Sequence, residues 1–436
     1  MNSKLGFLSV VLLGFNAIVG SGIFLLPNKA MALVGPFALV VVIFVALLTI
    51  SIALCFAEVS AKFERNGGAY VYAKEAFGEF VGFEVGFMKW AIAIIAWATM
   101  ATGFSEALGA WVYGDLKPPI IFKAIVASSL VLALTLMNLA GIGLSKFFNN
   151  LITLAKLAPL LIFIFLCLWF VKAENFQPFL VLGHSNTGEV LSFSAAFSSA
   201  ALVIFYAFTG FESLAIAAED YKNPKNDLPR AITWVMVIVC IFYLLIIGVA
   251  IGILGLDLAR ENAPIAAAFD RIFSGYGTSI VGIGTLISIG GIATASSILT
   301  PRVGHALAND GLIPKIIAYK NKAQTPVVAI IITGILTLAL VLYGTLIGSF
   351  AVLAAISVIS RFIQYVPTCL AVLVLRKRKD LPQSSIKVPS FVPIVAIIIS
   401  FWLLMNANGE QLIIGLGGLA IAAVFYAFAK LTGKKF

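Results

Sequence analysis

The sequence predicts an all-α polytopic membrane protein with about twelve transmembrane helices. First, 61% of the 436 residues are hydrophobic and only 11% are charged, whereas soluble globular chains carry roughly 25% charged residues. Second, apolar runs of about 20 residues, the length of a helix that crosses a bilayer, recur along the whole chain. Third, a glycine-containing motif in the middle of the first run returns in the sixth run. The lipid bilayer is therefore the expected solvent of this chain.

The apolar runs divide the chain into spans with short connections. They lie near residues 7–33, 36–61, 80–112, 120–138, 147–171, 192–217, 230–255, 275–300, 327–343, 346–374, 390–406 and 409–429. The first run is too long for the hydrophobic region of a signal peptide and no small-residue cleavage site ends it, so we expect it to be retained. Residues 1–430 are predicted to form a single transmembrane domain.

The basic residues are distributed unevenly over the connections. With the N-terminus inside, about 20 of the 29 Lys and Arg residues fall in cytoplasmic segments, including the run RKRK at 376–379, and about five fall outside. Such an excess of basic residues in cytoplasmic loops is the positive-inside rule. We therefore predict a multi-pass protein of the cell (inner) membrane with both termini cytoplasmic. The net charge of +10 then requires no nucleic-acid partner.

Two short stretches indicate an internal repeat. FNAIVGSGIF at 15–24 aligns with FYAFTGFESL at 205–214, which places Gly20 opposite Gly210. The copies lie in spans one and six, and an offset of five spans gives them opposite orientations; glycine-interrupted spans at matching positions are typical of inverted-repeat transporters. The sequence thus predicts a 5+5 inverted repeat with broken helices 1 and 6 and two C-terminal helices. Their boundaries are about 6–172, 190–375 and 388–430.

A helix broken inside the bilayer exposes backbone groups that need a polar partner. Glycine costs about 1 kcal/mol relative to alanine within a helix, so both motifs favour unwinding. The N–H groups from Ser21 to Ile23 would face an anion. Carbonyls near Ile18, and from Tyr206 to Thr209, would face a cation. A ligand with both charges, an α-amino acid, suits such a site; the alternative is that the small residues only allow close helix packing.

Longer stretches around these motifs resemble the amino acid–polyamine–organocation (APC) superfamily, and within it the amino acid permeases. GSGIFLLPNKA at 20–30 looks like the opening signature of that family. FTGFESLAIAAEDYKNPKNDLPRAI at 208–232 resembles its sixth span and following loop, and GHALANDGLIPKIIAYKNKAQTPVVA at 304–329 resembles its connection from span eight to span nine. The resemblance covers about the first 375 residues. It implies two inverted five-helix repeats plus two C-terminal helices.

The resemblance also implies roles for residues at both breaks. Ser21 and Gly22 would bind the carboxylate of a substrate, and the carbonyls of Ile18, Tyr206 and Thr209 would receive its amino group. The ring of Tyr206 would act as a gate over the substrate, with packing near the helix break as the alternative. The implied substrate-binding residues are Ile18, Gly20, Ser21, Gly22, Ile23, Tyr206, Phe208, Thr209, Gly210 and Ile292.

Two positions indicate the charge of the substrate. Arginine-carrying relatives place a tryptophan in the eighth span where this sequence has Ile292, so no aromatic face is supplied there for a guanidinium. Glu212, the carboxylate nearest the second break, corresponds to an acid that the family tends to keep for holding the broken helices. We therefore predict a neutral substrate, small or apolar. Phe208 would line its side-chain pocket or pack beneath it.

Lys156 lies in the middle of the fifth span, where an ammonium needs a partner or loses its proton. The resemblance implies that it takes the place of a sodium ion used by sodium-coupled relatives. It would touch the first span near Gly20 and Ser21. It would touch the eighth span near Ser296 and Ser297. Two roles stay open: Lys156 exchanges a proton during the cycle, giving proton symport, or it stays charged and ties the broken span in place, giving exchange or facilitated transport. The predicted coupling or gating residues are Lys156, Tyr206, Glu212, Ser296 and Ser297.

Other charged residues also lie inside predicted spans. Lys89, Glu84 and Glu58 lie within about two to three turns of span ends, where a side chain reaches the membrane surface by snorkelling. Glu106 and Arg361 lie deeper, so each is predicted to have a buried partner. Arg361 faces the cytoplasmic half and is a candidate for an inner gate.

These features favour a carrier over other classes of membrane protein. The four cysteines and two histidines form no metal-binding pattern,, and neither a catalytic cluster within spans nor the repeated filter of an ion channel is visible. We expect a secondary transporter of neutral L-amino acids that works by alternating access without sodium or a cofactor, with protons as a candidate coupling ion. The alternatives are a cationic amino acid or amine antiporter and an amino acid exporter of the same fold.

Overall fold

The computed structural model describes residues 4–113, 118–184, 188–261, 263–347, 350–384, 386–406 and 409–431. Their regular structure is helical, because helices satisfy the backbone hydrogen bonds of an apolar chain within each segment. The α-helices are α1 (Phe7–Ile18), α2 (Ser21–Leu25), α3 (Pro27–Val34), α4 (Ala38–Ser60), α5 (Ala69–Phe77), α6 (Glu79–Tyr113), α7 (Ile120–Leu139), α8 (Ile142–Cys167), α9 (Phe193–Ala207), α10 (Pro224–Leu254), α11 (Pro264–Asp270), α12 (Gly277–Asn309), α13 (Val327–Ile347), α14 (Phe350–Leu375), α15 (Phe391–Met405) and α16 (Gly409–Leu431).

Many of these helices are long and apolar enough to cross a membrane. Eight segments of the described residues have the required length and hydropathy,. Shorter apolar helices are Phe7–Ile18, Arg361–Leu375, Phe391–Met405 and Leu416–Ala427. Large apolar side chains such as Ile121, Leu136 and Trp169 are exposed on the outside of the protein, where lipid is their solvent. The predicted all-α polytopic membrane fold is confirmed, while the total of twelve spans and the repeat boundaries stay predictions.

Glycine interrupts two of the apolar segments. The first helix, α1, ends at Ile18, Gly20 has an extended backbone (φ −147°, ψ −152°), and α2 begins at Ser21. The second interruption follows α9, where Gly210 has a φ of +124° that L-residues with a side chain rarely adopt,. A 3₁₀-helix at Phe211–Asp220 continues the chain. Both predicted interruptions are confirmed.

The broken segments lie at the centre of the helix arrangement. α1 contacts α8, α10 and α12, and α2 contacts α9, α11 and α12. The 3₁₀-helix after the second break contacts α1, α10 and α12. α12 in turn packs along α6 and α8. Both breaks are therefore enclosed by other helices, which is where irregular backbone is tolerated at membrane depth.

Ion pairs join segment ends on one side of the molecule. Asp310, which follows α12, pairs with Lys74 of α5 at 2.7 Å and with Arg65 at 3.4 Å, and it accepts a hydrogen bond from Tyr70. Burial alone would raise the pKa of Asp310, but the hydrogen bonds from Lys74 and Tyr70 and the charges of Lys74 and Arg65 hold that pKa below its ordinary value,. We call this side the basic face; it carries Arg65, Lys74, Arg302, Lys320 and Arg376.

Candidate functional site

The two broken segments pack directly against each other. A β-carbon added to Gly22 would lie 2.9 Å from the Cα atom of Ala207, and one added to Gly210 would overlap the carbonyl oxygen of Ala17. Gly20 approaches the side chain of Ile292 on α12 in the same way. The small residues thus both allow close helix packing and interrupt the helices. The two interpretations of the motif, unwinding and close packing, are therefore compatible.

We expect Gly210→Ala to lower the free energy of unfolding by about 2–5 kcal/mol, because alanine is strained at this positive φ and meets the Ala17 carbonyl. Thermal unfolding of the purified protein in detergent measures the effect. Gly282→Ala on α12 is the matched control, since its added β-carbon would meet no other segment of the described chain within 4 Å. Equal melting temperatures for the two variants would contradict the expectation.

A cavity of about 80 Å³ lies beside the breaks. Its walls come from α1, α2, α6, α9, the 3₁₀-helix Phe211–Asp220, α12 and α14. The predicted site residues that line it are Ile18, Gly20, Gly22, Tyr206, Thr209, Gly210, Glu212, Ile292 and Ser296. Most of the predicted site residues therefore line this cavity, although the role of each residue stays a prediction.

Four of the predicted residues that the structure describes do not line the cavity, and one of them, Lys156, bonds the first break from α8. Ile23 is buried in the helix packing. Phe208 packs its ring against Tyr243, with centroids 4.9 Å apart, which agrees with packing beneath the pocket. Ser297 accepts a hydrogen bond from Asn138 of α7 at 2.9 Å, away from the breaks. The side chain of Ser21 lies outside the described part of the chain.

The start of α2 has free hydrogen-bonding capacity. Gly20, which precedes it, has no side chain that could cap the helix, and the first N–H groups of a helix have no partner within the helix. At the second break, by contrast, the N–H of Gly210 donates to Oε2 of Glu212 at 2.8 Å. A helix start with open N–H groups attracts an anionic group. The first break therefore offers the better place for a carboxylate.

Two of the carbonyls predicted to receive an amino group already have partners. The carbonyl of Tyr206 accepts from the hydroxyl of Thr209 at 2.7 Å and from its N–H at 3.2 Å, which uses both lone pairs,. The hydroxyl of Tyr243 on α10 lies 3.2 Å from the Ile18 carbonyl and 3.1 Å from that of Ala207. The prediction of a free Tyr206 carbonyl is thus wrong, whereas the Ile18 carbonyl keeps one lone pair without a partner among the described residues.

Lys156 of α8 is fully buried and bonded to the first break. Its Nζ atom donates to the carbonyl of Asn16 at 2.9 Å and to that of Val19 at 2.5 Å. From α12, the hydroxyl of Ser288 donates to the same Val19 carbonyl at 3.3 Å. The predicted contact with the first span near Gly20 is present. On the eighth span, however, the hydroxyl beside Lys156 belongs to Ser288, about two turns before the predicted Ser296 and Ser297.

Glu212 is the centre of a buried charge cluster. Its Oε1 atom lies 3.2 Å from Nζ of Lys89 on α6 and 2.8 Å from Nη1 of Arg361 on α14, and its Oε2 atom accepts from the hydroxyl of Tyr365 at 3.0 Å. We call Glu212, Lys89, Arg361 and Tyr365 the carboxylate cluster. The predicted buried partner of Arg361 is Glu212. Snorkelling is wrong for Lys89, which is 5% exposed and ion-paired.

Three other predicted charges occupy different environments from those expected. Glu106 was predicted to have a buried partner, but its side chain is 46% exposed and lies 3.9 Å from Lys123, because it occupies the outer surface of α6. Glu58 is buried and pairs with Arg376 at 2.5 Å, so it does not snorkel. Glu84 is also buried, and neither of its oxygens has a hydrogen-bond partner among the described residues. None of the described His, Cys, Asp and Glu residues form a group that could hold a metal ion.

Comparisons with known proteins agree with this geometry. Residues 5–428 match the family model described as amino acid permease. The chain is 32% identical to an uncharacterized transporter of Mycobacterium tuberculosis, with 98% of this chain and 92% of the relative covered. It is 28% identical to the branched-chain amino acid permease BcaP of Bacillus subtilis (98% and 92% covered) and 30% identical to the serine/threonine exchanger SteT of the same species (99% and 98% covered). A multi-pass helical chain with two broken segments at a central cavity, matched over nearly its whole length, belongs to the amino acid permease family of the APC superfamily.

Proposed function

We propose that the protein is a secondary transporter that carries neutral L-amino acids across the cell membrane by alternating access, independently of sodium. The observation that carries this proposal is the pair of broken segments that line one central cavity, where the start of α2 and the Ile18 carbonyl both belong to the wall. Open N–H groups hold a carboxylate, and a carbonyl accepts from an ammonium. The α-carboxylate and α-amino group of an amino acid lie close enough together to use both partners at once.

The charges around the cavity support a neutral substrate. The carboxylate cluster contains two cations, Lys89 and Arg361, and one carboxylate, Glu212, whose oxygens are already engaged. A cationic side chain would therefore meet an excess of positive charge and no open carboxylate in the cluster. Ile292, which approaches Gly20, supplies no aromatic face for a guanidinium,.

The bonds of Lys156 support sodium independence. A sodium ion bound at the first break would need carbonyl oxygens as ligands, and an ammonium already bonds the carbonyls of Asn16 and Val19 there. Two cations at one small site repel each other strongly in a medium of low dielectric constant. Transport is then coupled to protons or proceeds by exchange of one amino acid for another.

The carboxylate cluster supports a role in alternating access. It joins α6, α14 and the 3₁₀-helix Phe211–Asp220, which runs from the second break to the basic face. We propose that the basic face is cytoplasmic, in keeping with the positive-inside rule. Breaking the cluster would then release three elements between the cavity and the cytoplasm. Tyr206, which lines the cavity, is the proposed gate over the substrate.

Uptake by liposomes that contain the purified protein tests this proposal. We expect saturable uptake of labelled neutral L-amino acids, no effect of their D-isomers, and equal rates when choline replaces sodium. An inward acid gradient that drives uptake into empty vesicles would indicate proton symport. Uptake only into vesicles preloaded with an amino acid would indicate exchange.

Two results would contradict the proposal. One is an absolute requirement for sodium. The other is stronger competition by arginine or lysine than by alanine, serine, leucine or methionine, which would favour the alternative of a cationic amino acid antiporter. The alternative of an exporter is tested by measuring two rates under the same gradient: the rate of uptake and the rate of release from preloaded vesicles.

A further inference from the structure

Gln364 belongs to the wall of the central cavity and has a buried side-chain amide without a partner among the described residues. This residue of α14 is fully buried and belongs to the cavity wall, one turn after Arg361. Neither its side-chain nitrogen nor its oxygen has a hydrogen-bond partner among the described residues. Buried amides without partners are rare, because they lose their bonds to water and gain nothing in return. A donor and an acceptor therefore remain in the wall for a ligand.

Most other polar side chains around the cavity are already engaged. The charged members of the carboxylate cluster bond each other. The hydroxyls of Thr209 and Thr300 each donate to a carbonyl three or four residues earlier in the chain. Much of the remaining wall is small and apolar, as at Ala93, Ala96 and Ala295. Gln364 is thus distinguished, among the described residues of the wall, as a fully buried side chain whose amide has no hydrogen-bond partner.

We infer that Gln364 selects neutral amino acids whose side chain carries a hydroxyl or an amide, such as serine, threonine and asparagine. The inference rests on the proposed function, in which backbone groups at the breaks hold the carboxylate and amino group of the substrate. The amide of Gln364 both donates and accepts, as does a hydroxyl or another amide. The terminal torsion of glutamine is soft, so the amide can turn toward such a group without a backbone movement.

The same amide disfavours apolar substrates. Valine has nearly the shape of threonine, but it would fill the cavity and leave both atoms of the Gln364 amide without partners. Sites built to bond a polar group of the substrate reject analogues that lack it, for this reason. We expect the native protein to bind threonine over valine, and serine over alanine, by about tenfold or more.

Gln364→Leu tests the inference, because leucine has a similar volume and makes no hydrogen bond. Affinities for the pairs serine and alanine, and threonine and valine, are measured by competition for uptake and by thermal stabilisation of the purified protein. We expect both preferences to fall to within about threefold of unity, because serine and threonine bind more weakly while alanine and valine binding is not lost. Gln383→Leu, at an exposed position before α15, is the matched control and is expected to keep both preferences.

Several outcomes would overturn the inference. One is a preference of the native protein for valine over threonine. Another is that Gln364→Leu keeps both preferences of the native protein. The third is an equal loss of serine and alanine binding in Gln364→Leu, which indicates a structural role. Gln364→Met supplies a second apolar variant if the leucine variant does not fold. Stereoselective uptake of apolar amino acids alone would refute this inference and leave the proposed function standing. Absence of all neutral amino acid uptake by the native protein would refute the proposed function itself.

Discussion

Lys156→Ala is expected to reduce amino acid uptake by about 100-fold. The substitution removes the ammonium that bonds the buried carbonyls of Asn16 and Val19 at the first break. Leaving a buried acceptor without a partner costs about 1–3 kcal/mol, and 1.4 kcal/mol corresponds to a factor of ten. Initial rates of uptake into liposomes measure the loss, and thermal unfolding shows whether the variant is folded. Lys123→Ala, at a partly exposed lysine near the start of α7, is the control and is expected to behave as the native protein.

Lys156→Gln separates the two roles of this residue. Glutamine can still donate to one of the carbonyls but cannot carry a proton at neutral pH. If Lys156 is a proton carrier, the variant loses uptake driven by an acid gradient and retains exchange between preloaded vesicles. If Lys156 only ties α8 to the first break, both activities fall together. Unchanged uptake by Lys156→Ala would exclude both roles.

The sequence predicts the two breaks well because their cause is local. Glycine disfavours a helix wherever it occurs. Gly20 and Gly210 lie at matching positions in spans one and six, which indicates that the weakened helix is a repeated feature of the fold. The position of Lys156 beside the first break came from a resemblance to a family, since nothing in its neighbouring residues specifies a partner about 140 positions away.

The partners of the buried charges could not be predicted in this way. Lys89 precedes Glu212 by more than 100 residues and Arg361 follows it by a similar distance. Their pairing depends on how three segments pack, which sequence spacing does not encode. Glu106 is a second example. Its position deep along α6 predicted a buried side chain, but the exposure of the side chain depends on the face of the helix on which it lies.

Tyr243 was missed, although the sequence contains a signal for it. It lies within an apolar span, and a buried tyrosine hydroxyl usually has a hydrogen-bond partner. Such a residue could have been paired with the carbonyls that the breaks were expected to free. The same reasoning applies to Gln364, whose amide lies in an apolar span and has no partner among the described residues.

Glu212→Gln is expected to give the second large effect. The substitution keeps an oxygen that can accept from the N–H of Gly210, but it removes the negative charge between Lys89 and Arg361. Breaking a buried ion pair by removing one partner costs about 3–5 kcal/mol, because the remaining charges are uncompensated. We therefore expect a lower melting temperature and a loss of uptake of about 100-fold or more.

A second substitution shows whether the uncompensated cations cause this loss. Lys89→Met, added to Glu212→Gln, removes one of the two buried cations with little change in side-chain length, so part of the stability should return. Glu106→Gln is the matched control, since that carboxylate is half exposed and lies 3.9 Å from its partner; exposed ion pairs contribute about 0–1 kcal/mol. If Glu212→Gln were no more damaging than Glu106→Gln, the carboxylate cluster would not hold the broken segment between α6 and α14. Recovery of stability without recovery of uptake would instead show that the charge of Glu212 is needed in the transport cycle as well as in the fold.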